Sequence, residues 1–182
     1  MEQKRLPFNF EATKSLKELF QFDNLDSLKI KELVLNGADV NVVVDEKKNL
    51  SPLMLAIMKK QTKLACFLLS YGASPSHFNS FGQDCLEFAI LTRQSLLVKL
   101  LLNLGAKPNR FNGNGETALN LAIKLGDVEM VKSLIKSGAD VNMPSLKAKL
   151  MPLLIAKCKG EKEIEKMLVR AGAKESIAEM GL

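Results

Sequence analysis

Apolar residues recur along the chain in pairs of short segments, and the pairs follow one another at a nearly constant interval. In the second segment of each pair they fall three and four residues apart, as on one face of an α-helix. The positions are Leu64, Ala65, Leu68, Leu69; Leu97, Val98, Leu101, Leu102; Met130, Val131, Leu134, Ile135; and Ile164, Glu165, Leu168, Val169. Glu165 interrupts the last of these stripes, which fits a final unit with no neighbour on its outer side.

This pattern predicts ten helices in five pairs. Their predicted ranges are 11–22 and 27–36, 52–59 and 62–70, 85–92 and 95–103, 118–124 and 128–136, and 152–158 and 161–170. Asp26 and Ser51 are suited to cap helix N-termini, and Pro52 to the first helical turn. In the first pair, the residues predicted to face inward are Leu16, Leu19, Phe20, Phe22, Leu28, Ile30, Leu33 and Val34. Pro7 and the pair Phe8 and Phe10 are predicted to hold an N-terminal arm against that pair of helices.

Two short phrases repeat with the same period. The first, from Leu101 to Asn109, recurs around glycines at 37, 72, 105, 138 and 172, which are separated by 35, 33, 33 and 34 residues. The second, Thr117 to Ala122, recurs with its last alanine always 16 residues before a glycine. A fixed period of this length indicates a stack of like units.

The two phrases resemble those of ankyrin-repeat proteins over about residues 25–173, with Thr117-Ala118-Leu119 where the family usually has Thr-Pro-Leu. The resemblance implies an all-α solenoid of about five stacked helix-turn-helix units joined by hairpin fingers, with degenerate terminal caps. We expect one domain over residues 1–182. Its predicted parts are an arm (1–10), an N-terminal capping unit (11–41), three full repeats (42–76, 77–109, 110–142), a C-terminal capping repeat (143–173) and a tail (174–182).

Left-handed backbone is predicted at recurring turn positions. Gly37 should end its helix in this conformation, which glycine adopts at little cost. Gly126 and Gly160 lie between paired helices, where the matching residues are Lys60 and Arg93. Those two side chains are therefore predicted to sit on a less favourable backbone or to use a different turn. The segment Asn112–Gly115 is predicted to be a hairpin turn and not a phosphate loop, because no Lys-Ser/Thr follows it.

Composition argues against most catalytic chemistry. His77 is the sole histidine, and no Ser or Cys with an acid lies near it in the sequence. Cys66 and Cys85 are predicted to be in the core and Cys158 to be exposed, and their spacing does not suit a metal site. We therefore predict no enzyme activity, no cofactor and no metal. Scattered thiols, no long apolar run and no secretory leader favour a cytoplasmic location.

The net charge of +6 favours anionic partners. Residues 51–110 carry seven basic and two acidic side chains, a local charge of +5. This charge could attract an acidic segment of a partner protein or merely form a solvated face.

The resemblance also implies where a partner would bind, since members of this family use the fingertips and the exposed, concave side of the first helices. The matching positions are Lys47, Lys48, Leu50, Met58, Lys59, Ser80, Phe81, Gln83, Leu91, Thr92, Asn114, Glu116, Lys124, Leu125, Lys147, Lys149, Cys158 and Lys159. Met58, Phe81, Leu91 and Leu125 are apolar, as in the centre of a protein-binding patch. The alternative is that some of them pack against neighbouring fingers.

The leading prediction is a monomeric, non-catalytic adaptor that binds another protein. It could be a bacterial or viral effector delivered into a host cell. A nucleic-acid-binding protein is the alternative suggested by charge, although the chain has no Trp and one Tyr for base stacking. Asn41 and Asn142 each follow a leucine by eight residues, which resembles sites of asparagine hydroxylation in some ankyrin proteins.

Overall fold

The computed structural model describes residues 7–20 and 25–176. These residues form ten α-helices and no β-sheet, so the predicted all-α class is confirmed. The helices are α1 (Phe10–Leu19), α2 (Ser27–Leu35), α3 (Pro52–Met58), α4 (Thr62–Ser70), α5 (Cys85–Leu91), α6 (Ser95–Asn103), α7 (Ala118–Lys124), α8 (Val128–Lys136), α9 (Pro152–Lys159) and α10 (Lys162–Arg170).

The chain forms two compact units, residues 1–88 and 89–182. In the first unit α1 packs against α2, α3 packs against α4, and α2 contacts α4. In the second unit the pairs α7–α8 and α9–α10 pack together, while α6 contacts α8, α8 contacts α10 and α7 contacts α9. Within each unit, successive helix pairs therefore bury their apolar faces on their neighbours, as in repeat proteins. The organisation as one domain with arm, caps and tail stays a prediction.

The predicted apolar stripes supply the core. Leu64, Leu68, Leu97, Leu101 and Leu134 are all fully buried or nearly so. Leu28, however, is 79% exposed, so its predicted inward position is wrong. It lies two residues before the buried Ile30, and two residues along a helix turn a side chain to the opposite face. In α10 Val169 is exposed as well, so the last stripe is narrower than predicted.

Side-chain caps fix several helix starts. The Asp26 carboxylate accepts hydrogen bonds from the Leu28 and Lys29 amides at 3.0 and 3.1 Å. Ser51 Oγ accepts one from the Met54 amide at 3.3 Å, with Pro52 in the first turn. These caps are as predicted. The sequence reading missed Asn9, whose side chain accepts from the Ala12 amide and starts α1 one residue early.

The N-terminal arm is attached through its backbone. Phe8 and Phe10 are each 69% exposed, so the prediction that they hold the arm is wrong. The backbone N–H of Asn9 instead donates to the Gly37 carbonyl at 2.9 Å. Next to the arm, in α1, Thr13 Oγ1 accepts from the backbone N–H of Asp39 at 2.9 Å. Phe20 is buried, as predicted, and Phe22 lies outside the described residues.

Asparagine bridges join successive repeats within each unit. Each bridging amide donates to the carbonyl of the glycine that ends the next helix pair and accepts from the backbone N–H two residues later. Asn41 bonds Gly72 (3.1 Å) and Ser74 (2.7 Å), Asn109 bonds Gly138 (2.9 Å) and Asp140 (2.7 Å), and Asn142 bonds Gly172 (3.1 Å) and Lys174 (2.8 Å). In the first helix pair, two residues replace the bridging asparagine. The backbone N–H of Asn9 donates to the Gly37 carbonyl, and Thr13 Oγ1 accepts from the backbone N–H of Asp39.

The turn between paired helices has one left-handed residue in each of the four pairs from α3–α4 to α9–α10. Lys60 and Arg93 have φ of 56° and 58°, close to the 66° and 74° of Gly126 and Gly160. Of the two alternatives predicted at these positions, the less favourable backbone is the one observed. The turn is thus kept even where the sequence lacks the glycine.

Replacing Lys60 by Gly should raise the free energy of unfolding. The left-handed conformation costs a side chain about 1–2 kcal/mol, and the added chain entropy of glycine offsets about 0.4–1 kcal/mol of that gain. We expect a net stabilisation of about 0.5–1 kcal/mol, measured by urea unfolding. Lys63→Gly, in the first turn of α4, should do the opposite, so stabilisation by both variants or by neither would contradict the explanation.

Candidate functional site

Each hairpin finger is shaped by a short polar side chain at its start. Asp45, Asn79, Asn112 and Ser145 occupy equivalent positions. Asn79 Oδ1 accepts from the Phe81 and Gln83 amides at 2.9 Å, and Asp45 Oδ1 accepts from the Lys48 amide at 2.9 Å. Asx turns of this kind hold a tip in one conformation. The sequence reading missed them, although the recurrence of Asp, Asn and Ser at one position in the period would have indicated them.

In the first unit the tips of two fingers are joined by hydrogen bonds. The Ser80 amide donates to the Lys48 carbonyl at 2.9 Å, and Ser80 Oγ donates to the Lys47 carbonyl at 3.1 Å. His77 Nε2 lies 2.8 Å from the Asn49 carbonyl oxygen, so this histidine packs in the hairpins as predicted. Phe81 directly follows Ser80 and is 63% exposed. The bonds at Ser80 therefore hold an exposed aromatic ring beside the lysine-bearing tip.

The second unit holds an equivalent exposed residue that the sequence reading did not select. The Leu146 amide donates to the Gly115 carbonyl at 2.8 Å, and Leu146 is 55% exposed. Lys147 and Lys149 beside it are also exposed. A Cβ at position 115 would approach the Leu146 Cβ to 2.8 Å, so this close contact between the two fingers requires glycine at position 115.

Most of the predicted partner-binding residues are accessible. The exposed ones are Lys47, Lys48, Met58, Lys59, Ser80, Phe81, Leu91, Asn114, Lys147, Lys149, Cys158 and Lys159, and the half-buried ones are Gln83, Thr92, Glu116, Lys124 and Leu125. Leu50 is buried, so its place among them is wrong. Its amide and carbonyl bond Asp45 and Val44 across the finger, and this pairing turns the side chain inward.

Several of the half-buried polar residues bond within the chain. The side-chain amide of Gln83 donates from Nε2 to Glu87 Oε1 at 2.9 Å, and its Oε1 accepts from Asn79 Nδ2 at 3.0 Å. Lys124 Nζ pairs with Glu116 Oε1 at 2.5 Å. These groups therefore bond within the fingers and the first helices, and the exposed members of the predicted set lie at the fingertips and helix ends.

The cysteines differ in their surroundings. Cys85 is buried, and desolvation, together with the nearby Asp84 charge, raises the pKa of its thiol far above the usual range. It therefore stays protonated and unreactive near neutral pH. Cys66 is exposed, so its predicted core position is wrong, because it lies one residue beyond the buried Ala65 and turns off the apolar stripe. Cys158 is exposed, as predicted.

Clusters of three or more His, Cys, Asp or Glu side chains able to hold a metal are absent from residues 7–20 and 25–176. The helices in these ranges also include none that is long and apolar enough to cross a membrane.

Helix pairs repeated about every 33 residues, with hairpin fingers between them, define this chain as a helical repeat protein. Its accessible predicted partner-binding residues lie at fingertips and at the ends of the first helices. The family model for ankyrin repeats (3 copies) matches residues 21–112 and 97–178, and the chain belongs to the ankyrin-repeat family. A comparison with curated proteins gives no match.

Proposed function

We propose that the chain is a non-catalytic adaptor that holds a partner protein on its fingertips and on the exposed ends of its first helices. Ankyrin repeats are in general protein–protein interaction modules. The observation that carries the proposal is Phe81, a large apolar side chain that is exposed and directly follows Ser80, which two hydrogen bonds join to the neighbouring fingertip. Apolar side chains displayed on a fixed backbone are typical of binding sites.

The first helices add further apolar side chains. In the first unit Met58 ends α3 and is exposed, and in the second unit Leu91, at the end of α5, is exposed separately. Lys59 follows Met58 and is also exposed, so charge borders the apolar group. An apolar centre with a polar rim is the usual anatomy of a protein interface. Because the fingers are already fixed by hydrogen bonds, little ordering entropy is lost when the partner binds.

The proposal includes the character of the partner and the setting. The net charge of +6 favours a partner with an acidic segment. The three cysteines are free thiols, which suits a reducing compartment such as the cytoplasm, and the adaptor acts as a monomer. An effector delivered into a host cell would use the same surface.

Nucleic-acid binding is the second candidate, favoured by net charge alone. The predicted partner-binding residues include lysines and no arginine, and Phe81 is the one aromatic residue among them. Single-stranded nucleic acids are usually held by several stacked aromatic side chains. Binding to random-sequence oligonucleotides at physiological salt would favour this function over the adaptor.

The double variant Met58→Ala/Phe81→Ala tests the adaptor. We expect partner affinity to fall at least tenfold, about 1.4 kcal/mol or more, because two anchoring side chains are lost. Affinity capture from the native cell with quantitative mass spectrometry identifies proteins lost with the variant, and titration of a purified candidate measures the affinity. Both side chains are exposed, so the unfolding transition should be unchanged.

Leu28→Ala/Leu35→Ala is the matched control, since both leucines are exposed on α2 away from the fingertips. It should retain the partner. A partner held equally by all three proteins would place the binding surface elsewhere.

Asparagine hydroxylation at Asn41 and Asn142 is a separate proposal. Both side-chain amides take part in bridges between repeats, with one donated and one accepted hydrogen bond each. A modifying enzyme would therefore act on side chains whose amide groups are already hydrogen-bonded between repeats. Mass spectrometry of protein from the native cell would reveal the added oxygen, and unmodified peptides would reject the proposal.

A further inference from the structure

We propose that the chain has two separate fingertip clusters of the same kind, each taking an apolar side chain flanked by carboxylates in an extended acidic segment. Cluster 1 is Lys47, Lys48 and Phe81 in the first unit. Cluster 2 is Leu146, Lys147 and Lys149 in the second unit. The inference rests on the proposed function, because it specifies the chemistry of the partner at the same surface.

Cluster 1 presents positive charge although its finger also contains acids. The Asp45 carboxylate accepts the Lys48 backbone N–H, and the Glu46 carboxylate pairs with Lys17 at 3.4 Å. Lys47 and Lys48 are exposed, and neither ammonium group pairs with an acid among the described residues. The acids are thus engaged within the chain, and the two ammonium groups are available to a ligand.

Cluster 2 also presents positive charge, because the segment of chain that forms it contains lysines and no acids. Residues 143–151 contain two lysines and no acidic residue. Lys149 is held in left-handed backbone, with φ of 51°, and its amide donates to the Ser145 carbonyl at 2.8 Å. Neither Lys147 nor Lys149 forms a side-chain ion pair with a described residue.

A backbone bond between neighbouring fingers holds the apolar group in both clusters. In cluster 1 it is the Ser80 amide to the Lys48 carbonyl, directly before Phe81, and in cluster 2 it is the Leu146 amide to the Gly115 carbonyl. This bond fixes the backbone at or directly before the exposed apolar residue in both clusters. Two clusters of similar composition, built on different local sequences, indicate a shared ligand chemistry.

The geometry of an extended peptide completes the inference. Side chains two residues apart point to the same side of an extended chain, about 7 Å apart. An apolar residue with acids two positions before and after it therefore presents all three groups to one cluster. Lysine side chains are long enough to meet such carboxylates while the apolar groups touch. An acidic peptide is favoured over nucleic acid because cluster 2 has no aromatic ring for stacking.

The test uses the full chain labelled with nitrogen-15 and a synthetic peptide with three Glu-Ser-Leu-Ser repeats and a final Glu. We expect amide shifts at residues 80, 81 and 146–149. The peptide with Gln for Glu should bind at least tenfold more weakly, and so should the peptide with Ser for Leu. Raising NaCl from about 50 to 500 mM should weaken binding by a similar factor, because exposed charges are screened.

Charge-matched variants locate the effect on the protein. Lys47→Gln/Lys48→Gln should reduce binding at cluster 1 at least fivefold and leave the shifts at 146–149 unchanged. Lys63→Gln/Lys99→Gln removes the same charge from exposed lysines on α4 and α6 and should leave both clusters unchanged. Equal losses with the two variants would show a general charge effect and overturn the inference.

The remaining outcomes separate this inference from the adaptor proposal. Equal binding of the Glu and Gln peptides, no shift at either cluster at 2 mM peptide, or equally strong binding of a 12-nucleotide single strand would each overturn it. If the captured partner still depends on Met58 and Phe81, the adaptor proposal survives that failure. If the partner is indifferent to those residues while the Glu peptide binds at the clusters, the adaptor surface is wrong and the peptide chemistry stands.

Discussion

Replacing Leu101 by Ala is expected to lower the free energy of unfolding by about 2–5 kcal/mol. Leu101 lies in α6 and is fully buried. The substitution removes methyl groups from the interior and leaves a cavity that the surrounding helices fill only in part. Because the whole stability of a domain this size is about 5–15 kcal/mol, the variant should unfold at much lower urea concentration. Circular dichroism during urea titration measures the change.

Leu96→Ala in the same helix is the control. Leu96 is 82% exposed, so the same chemical change should alter stability by less than about 0.5 kcal/mol. Comparable losses in the two variants would mean that helix propensity, and not burial of the stripe, determines stability here.

Replacing Gly37 by Ala should produce the second large effect. Gly37 has φ of 88°, and a Cβ there would overlap the Pro7 carbonyl oxygen. The strain of a left-handed alanine is about 1–2 kcal/mol, and displacement of the arm loses the Asn9–Gly37 hydrogen bond, worth about 1 kcal/mol. We expect a total loss of about 2–3 kcal/mol, with faster hydrogen exchange at the Asn9 amide.

Gly138→Ala separates the two contributions. Gly138 has φ of 84°, but a Cβ there meets nothing within 4 Å. This variant should lose only the strain, about 1–2 kcal/mol. Equal losses at positions 37 and 138, with unchanged exchange at Asn9, would show that the arm contributes nothing to stability.

The sequence predicts the helices well because their determinants are local. The ends of α4 and α6–α8 match the predicted ranges, α2, α3, α5, α9 and α10 differ by one residue, and α1 runs from Phe10 to Leu19 where 11–22 was predicted. Asp26 and Ser51 cap helices through bonds to residues two or three positions away, so their role is readable from neighbours alone. Left-handed backbone at Lys60 and Arg93 followed from the period, since equivalent positions share a turn.

The candidate site was less predictable because exposure depends on distant contacts. Leu50 occupies a fingertip position in the sequence, yet its pairing with Asp45 and Val44 buries it. Lys124 and Glu116 are each predicted to contact a partner, and their pairing with each other is not evident from the sequence. Leu146 was overlooked because its display depends on a bond to Gly115, 31 positions away in the sequence.

The hydrogen bonds of Asn9 and Thr13 have a consequence for protein engineering. These residues fill the two backbone sites on Gly37 and Asp39 that an asparagine fills at Gly72 and Ser74. A grafted module fused upstream would therefore compete for occupied sites. Its junction asparagine could dock only if Asn9 and Thr13 were removed. To add a repeat at this end, the segment that contains Asn9 and Thr13 should therefore be replaced by the new repeat and not extended.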